Sequence, residues 1–221
     1  MTHRAPKSFS IRATRLLLAA AAAMAACGAL APSASAGLLV TTVTDAAPQP
    51  LEQPFLPWLD PAQYTLLPGG TFESSPSGWT LSGASVASGN EPYYVHGNGE
   101  TRSLSLPAGS RATSGTISVG LGHPTMRFFA RSTGGGLLSG LSTLKVEVLF
   151  ELATGQVASL PIGVALAGMH RSWQPSLPLP VLANLLPLLP GQQTPVAFRF
   201  TPVGSATWTI DDVYVDPKRR G

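Results

Sequence analysis

Three stretches of the chain alternate between apolar and polar positions. Met126, Phe128 and Ala130 alternate with Arg127, Phe129 and Arg131. Val146, Val148 and Phe150 alternate with Lys145, Glu147 and Glu151, and Val196, Phe198 and Phe200 alternate with Ala197 and Arg199. Successive side chains of a strand point to opposite faces, so a period of two predicts strands with one buried face and one polar face. That is the pattern of antiparallel sheets with one side in water. If these strands are neighbours, arginines face glutamates across the sheet, which is favourable. The same charges also allow a second reading, a charged ligand-binding face.

Further short β-prone runs are spaced along the chain between Gly, Pro, Ser and Asn: 64–67, 71–73, 79–82, 85–87, 93–96, 102–106, 111–119, 156–164 and 207–215. With the three alternating stretches (125–131, 144–152 and 195–200), they predict an all-β fold, an antiparallel sandwich or barrel. The last run, Thr207–Val215, carries two adjacent carboxylates, Asp211 and Asp212. Ionised carboxylates in a buried strand need a cationic partner. Its parity is ambiguous: Trp208, Ile210 and Tyr214 share the face of Asp212, whereas Val213 and Val215 share that of Asp211.

Two segments lack this texture. Residues 37–63 hold Pro48, Pro50, Pro54, Pro57 and Pro61 with no sustained period and read as a Pro-rich leader or linker. Phe55, Leu56, Trp58 and Leu59 are too apolar for a solvated linker and are expected to lie against the domain. Residues 175–190 are rich in Leu and Pro and read as a loop over a sandwich edge, with one helical turn within 181–186. Gly134–Gly136 reads as a flexible loop.

The N-terminus reads as an address. Arg4, Lys7, Arg12 and Arg15 precede an apolar run from Leu16 to about Ala31, followed by Ala34-Ser35-Ala36. Basic region, apolar region and small-residue cleavage site are the order of a secretory signal over residues 1–36. Met24-Ala25-Ala26-Cys27 also resembles a bacterial lipoprotein box, in which Cys27 would be lipidated and the protein kept at the cell surface. An uncleaved anchor is the third reading. The expected organisation is a signal peptide (1–36), the leader (37–63), a β-sandwich domain (64–217) and a basic tail (218–221). Cys27 is the single cysteine, so a chain cleaved after Ala36 has no disulfide and needs a large core or a metal for rigidity.

Charge changes with that cleavage. The full chain has a formal net charge of +3, but four of its 14 bases lie in the first fifteen residues and all 11 acids follow Gly37. The remainder is mildly acidic, so the basic balance makes no case for a nucleic-acid partner.

Several short motifs occur in a telling order. Gly69-Gly70-Thr71-Phe72-Glu73 is followed by Gly78-Trp79-Thr80-Leu81, then Tyr94-Val95-His96-Gly97 and Ser103-Leu104-Ser105-Leu106. Near the end comes Trp208-Thr209-Ile210-Asp211-Asp212-Val213. In this order they resemble the carbohydrate-binding modules of families four, nine and twenty-two, over about residues 66–216. The resemblance implies a galactose-binding-domain-like jelly roll, with Trp79 and Trp208 in the core. It also implies a structural calcium between the first and last strands, held by the Thr71 carbonyl, the Glu73 side chain and Asp211, with Asp212 the alternative. Calcium takes six to eight hard oxygens. The chain departs from the family at Gly69, where an asparagine is usual. The partner implied is a polysaccharide or glycan, bound through aromatic rings that stack on sugar faces. Tyr93, Tyr94 and Trp173 are the candidates, each equally open to a core role.

Catalytic signatures are absent: no nucleophile elbow, zinc-protease helix, phosphate loop or dinucleotide glycine pattern occurs. His96, His123 and His170 stand singly and read as surface hydrogen-bonding residues. Glu91, Glu100, Glu147 and Glu151 could supply a glycosidase carboxylate pair in principle. The expectation is a secreted, monomeric, non-catalytic glycan-binding module. The alternatives are an envelope structural or protein-contact domain on the same fold, and a small extracellular hydrolase.

Overall fold

The computed structural model describes residues 50–217, except 75, 77, 135–139 and 184–191. The proposed signal peptide, Cys27, residues 37–49 of the leader, Gly135 and Gly136, residues 184–186 of the expected helical turn and the basic tail lie outside the described residues. Among the described residues no helix is long and apolar enough to cross a membrane.

The fold is all-β, with two antiparallel sheets. The strands are β1 (Thr65–Leu66), β2 (Thr80–Ser82), β3 (Ser85–Ser88), β4 (Arg102–Leu106), β5 (Arg111–Thr113), β6 (Ile117–Val119), β7 (Thr125–Thr133), β8 (Thr143–Glu151), β9 (Val157–Leu166), β10 (Gln174–Pro175), β11 (Leu179–Pro180), β12 (Thr194–Val203) and β13 (Thr207–Val215). One sheet has the order β10-β7-β13-β4-β3, with β1 on β13 and β11 on β7; the other has β2-β5-β12-β8-β9, with β6 on β12.

The three alternating stretches are β7, β8 and β12. Their apolar sets meet between the sheets: Met126, Phe128 and Ala130 from one, and Val146, Val148, Phe150, Val196, Phe198 and Phe200 from the other, all buried. Trp79 and Trp208 join this core. Pairing of β12 with β8 sets Arg199 opposite Glu147, and Lys145 reaches Glu147 at 3.1 Å.

Several local expectations are corrected. Residues 71–73 form a turn, with Phe72 at φ 57°. Residues 93–96 form a loop, and 111–119 breaks into β5 and β6. The Leu-Pro segment supplies two strands, β10 and β11, both paired with β7. A Pro-rich run can do this because each strand is two residues long and needs few backbone donors.

The larger correction concerns the outer face of β7. The alternation predicts that it faces water, yet Arg127 and Phe129 are buried. Residues 50–64 form a strap across it. A lone bridge between Glu52 and Tyr64 closes the strap, and Leu56–Trp58 is one 3-10 turn with Pro57 inside it. Phe55 is fully buried and stacks on Phe129 at 5.3 Å; Tyr64 meets Phe55 edge-on at 4.9 Å. With Trp173 and Tyr214 these form a second cluster, outside the main core. The Arg127 guanidinium lies 4.2 Å above the Phe55 ring and pairs with Asp60 at 2.6 Å. Of the four strap residues expected against the domain, Leu56 and Leu59 are instead exposed.

Candidate functional site: an acidic corner and a tyrosine loop

The closing strand β13 resolves its own parity by a bulge. Its register with β7 shifts between Asp211 and Tyr214, and Asp212 adopts a left-handed φ of 46°. Trp208 and Ile210 before the bulge and Val213 and Val215 after it all face the main core, while Tyr214 faces the strap cluster. A bulge residue in the left-handed region is costly for a non-glycine. Contacts on the far side hold it in place. Leu67 N–H donates to Val213 O at 2.8 Å, and Val213 N–H donates to Gly70 O at 3.2 Å. A side chain at Gly70 would come within 3.1 Å of Val213 O, so glycine lets the two ends of the domain close. The two ends of the domain are therefore joined by backbone hydrogen bonds between Leu67–Gly70 and Val213.

The carboxylates expected to hold calcium have different fates. Glu73 accepts the backbone N–H groups of Thr101 (2.7 Å) and Arg102 (2.6 Å) and the Thr101 hydroxyl. The Thr71 hydroxyl accepts the Glu73 N–H at the limit of bonding, 3.5 Å. Asp211 is fully buried and accepts two backbone N–H groups, from Glu91 at Oδ2 (3.1 Å) and from Asp212 at Oδ1 (3.0 Å). Asp212 is equally buried, yet neither of its oxygens has a hydrogen-bond partner. Burial and the charges of Glu100, Glu91, Glu52 and Glu73 push the Asp212 carboxyl well above the usual range. Burial and the adjacent Asp212 do the same to Asp211. Glu100 is raised by burial as well, and its Oε2 is buried without a partner.

Six of the 11 acids thus gather at one corner: Glu52, Glu73, Glu91, Glu100, Asp211 and Asp212. Among the described residues the ion pairs are His96–Glu52, Arg127–Asp60 and Lys145–Glu147, so no lysine or arginine pairs with this corner. His96 touches Glu52 at 3.2 Å, and the Tyr214 hydroxyl donates to the same carboxylate at 2.8 Å. The fit to a cation rests on the orphaned oxygens of Asp212 and Glu100. No three His, Cys, Asp or Glu side chains among the described residues form a ready metal site. The corner therefore offers charge and two buried carboxylates, and calcium would need carbonyl or water oxygens to complete its shell.

Glu91, read from sequence only as one candidate acid, organises the neighbouring loop. It is fully buried, and its carboxylate accepts the N–H groups of Tyr93 (2.5 Å) and Val95 (2.9 Å). Residues 91–96 are thereby folded around one side chain. Tyr93 and Tyr94 emerge from the loop 41% and 44% exposed, Tyr94 at a left-handed φ of 50°. Trp58 of the strap packs edge-on against Tyr93 at 4.7 Å, and the Tyr93 hydroxyl donates to Trp173 O at 3.0 Å. Trp173 itself is buried under the Arg131 guanidinium, 5.2 Å from its ring centre, so it is a support rather than a ligand platform. Trp58 was missed as a site residue because nothing in a Pro-rich strap announces what it packs against.

His123 and His170 correct the expectation of surface histidines. Both are buried, and burial lowers their pKa. Gly120 N–H donates to His123 Nδ1 at 3.0 Å, and His170 Nδ1 lies 2.9 Å from Leu166 O.

No family model matches the sequence, and no curated protein matches it. Solved structures do match. The CBM22-1 and GH10 modules of Clostridium thermocellum endo-1,4-beta-D-xylanase 10B, complexed with xylohexaose, are 19% identical over 69% of this chain and 28% of that chain, with a TM-score of 0.43. The CBM22-1 xylan-binding domain of Paenibacillus barcinonensis Xyn10C is 14% identical over 69% of this chain and 94% of its own, with a TM-score of 0.43. TmCBM61 in complex with beta-1,4-galactotriose is 14% identical over 68% and 94%, with a TM-score of 0.39.

Proposed function

We propose that this protein is a non-catalytic glycan-binding module whose sugar contacts are Tyr93, Tyr94 and Trp58. The observation that carries this reading is the presentation of the tyrosines. They are half-exposed aromatic rings on a loop that a fully buried carboxylate holds in shape. Aromatic rings lose little conformational entropy when they engage a flat partner, and a loop fixed in advance lowers the cost of binding further. Sugar rings offer such flat apolar faces, and the motif order from Gly69 to Val213 resembles modules that bind them.

The reading includes a divalent cation at the acidic corner. Asp212 and Glu100 would hold it, in place of the Thr71, Glu73 and Asp211 set. When bound, it would supply the positive charge that six clustered acids lack. Secretion from a cleaved N-terminus, or retention through Cys27, belongs to the same reading, and so does a monomeric state.

A specific feature favours one competing reading, a protein-contact domain on this fold. Leu56 and Leu59, 52% and 93% exposed, flank Trp58 and would suit an apolar partner. Titration calorimetry on a glycan panel that includes xylohexaose and beta-1,4-galactotriose separates the two. A positive result that Tyr94→Ala and Trp58→Ala each weaken about two- to tenfold supports the module, since an aromatic stacking contact is worth about 0.5–1.5 kcal/mol. Absence of binding to every glycan on the panel sinks it.

A further inference from the structure

The outer face of β7 carries two arginines, Arg127 and Arg131, with Phe129 between them. Arg127 is met by Asp60 of the strap at 2.6 Å. Arg131 is not met: among the described residues the ion pairs are His96–Glu52, Arg127–Asp60 and Lys145–Glu147. The acid closest to it in register is Asp211, which stands opposite Phe129 on β13. The Asp211 carboxylate is already taken by the N–H groups of Glu91 and Asp212. The Nε of Arg131 is buried without a partner, and a buried donor left unmet is costly. Trp173 supports the guanidinium, whose Cζ lies 5.2 Å from the indole ring centre. Tyr93 borders the same spot. Its hydroxyl donates to Trp173 O at 3.0 Å, and its ring centre lies 5.7 Å from that of Phe129.

We infer that Arg131 is an anion subsite continuous with the tyrosine platform, so that the preferred ligand is an acidic glycan with a uronate carboxylate beside Tyr93. The inference rests on the glycan reading above and names the substrate class of that site. Its basis is the shape of the guanidinium. A planar fork of N–H donors matches the two oxygens of a carboxylate, and an aromatic ring beside it fixes the orientation of the fork in advance. The register extends the subsite across the sheet. Thr209 stands opposite Arg131, Ser105 opposite Thr209, and Ser85 opposite Ser105. Directly paired residues share a face of the sheet. Three hydroxyl-bearing side chains therefore lead away from Arg131 over about 14 Å at the ordinary strand spacing. They are uncharged and can both donate and accept hydrogen bonds, which suits the hydroxyls of neutral sugar units. The face thus matches one carboxylate followed by neutral units.

The test is titration calorimetry on the full chain with three oligosaccharides: xylohexaose, the same oligomer bearing one glucuronate unit, and that oligomer with the carboxylate reduced to the alcohol. The glucuronate form should bind about tenfold or more tightly than its reduced form, because hydrogen bonds to a charged group are stronger than neutral ones. Added salt should shrink that ratio. Arg131→Gln should bring the ratio to about one. Arg131→Lys keeps the charge but loses the fork, and should retain only part of the ratio. Equal affinity for the charged and reduced forms overturns the subsite and leaves the glycan reading standing. A preference for the glucuronate form that survives Arg131→Gln overturns the assignment to Arg131. Failure of all three oligosaccharides to bind overturns the inference, and the glycan reading falls with it when the rest of the panel fails too. The wild-type comparison of charged and reduced forms decides the matter even if a variant fails to fold.

Discussion

Asp212 concentrates what is unusual about this molecule. It is a non-glycine in the left-handed region, fully buried, with a carboxylate that no donor meets. An uncompensated buried charge costs about 3–5 kcal/mol. Replacing it with asparagine, which carries no charge and tolerates the left-handed region, should therefore have opposite effects under two conditions. In chelator Asp212→Asn should melt at or above the wild-type temperature, because the wild type must take up a proton to keep this carboxyl buried and asparagine needs none. In calcium it should melt below wild type, because the cation loses its carboxylate. A variant that is destabilised equally in both conditions would mean that Asp212 serves packing alone. The acid pair itself was legible in the sequence as an electrostatic anomaly. Which of the two carboxylates is unpaired was not, because the answer depends on a bulge set by Gly70 and Leu67, about 140 residues earlier.

At the scale of elements, the alternating strands were readable because each buries one face against the other sheet. The strap was not, because its partner is the face of β7 that alternation assigns to water. Phe129 belongs by period to the polar set, and only the arrival of Phe55 makes it core. Asp60 latches this arrangement. Burial alone would raise its pKa, but hydrogen bonds from the Tyr64 hydroxyl and from Arg127 outweigh that and hold it below the ordinary value of 3.8. A depressed folded pKa contributes stability that is complete above the unfolded value and is lost as pH falls through the folded one. The strap should therefore stay closed at neutral pH and loosen below about pH 4. Fluorescence of Trp58 can follow this, using the change that Trp58→Phe abolishes. Asp60→Asn should show the loosened signal already at pH 7 and no acid transition of its own. An identical acid transition in wild type and variant would remove Asp60 from the latch.

For the whole molecule, two opposed sets of buried groups decide how stability responds to acid. Asp211, Asp212, Glu91 and Glu100 have raised pKa values, chiefly from burial, so as pH falls the folded chain gains relative to the unfolded one. His123 and His170 have lowered values, also from burial, so they act in the other direction. Their stability is complete above the unfolded histidine value of about 6.5 and is lost as pH falls through the folded values. Without divalent cation the acids relieve themselves by protonation, and the two slopes oppose each other across mildly acidic pH. With calcium the corner stays ionised, and the histidines act unopposed. The melting temperature should therefore fall more steeply between pH 6.5 and 5 in calcium than in chelator. The double variant His123→Gln, His170→Gln should flatten the calcium curve, because neither glutamine takes up a proton. A calcium curve as steep in the variant as in wild type would show that acid acts elsewhere, with the histidines mere bystanders. A pair of curves indistinguishable between calcium and chelator would show that the corner binds no cation over this range.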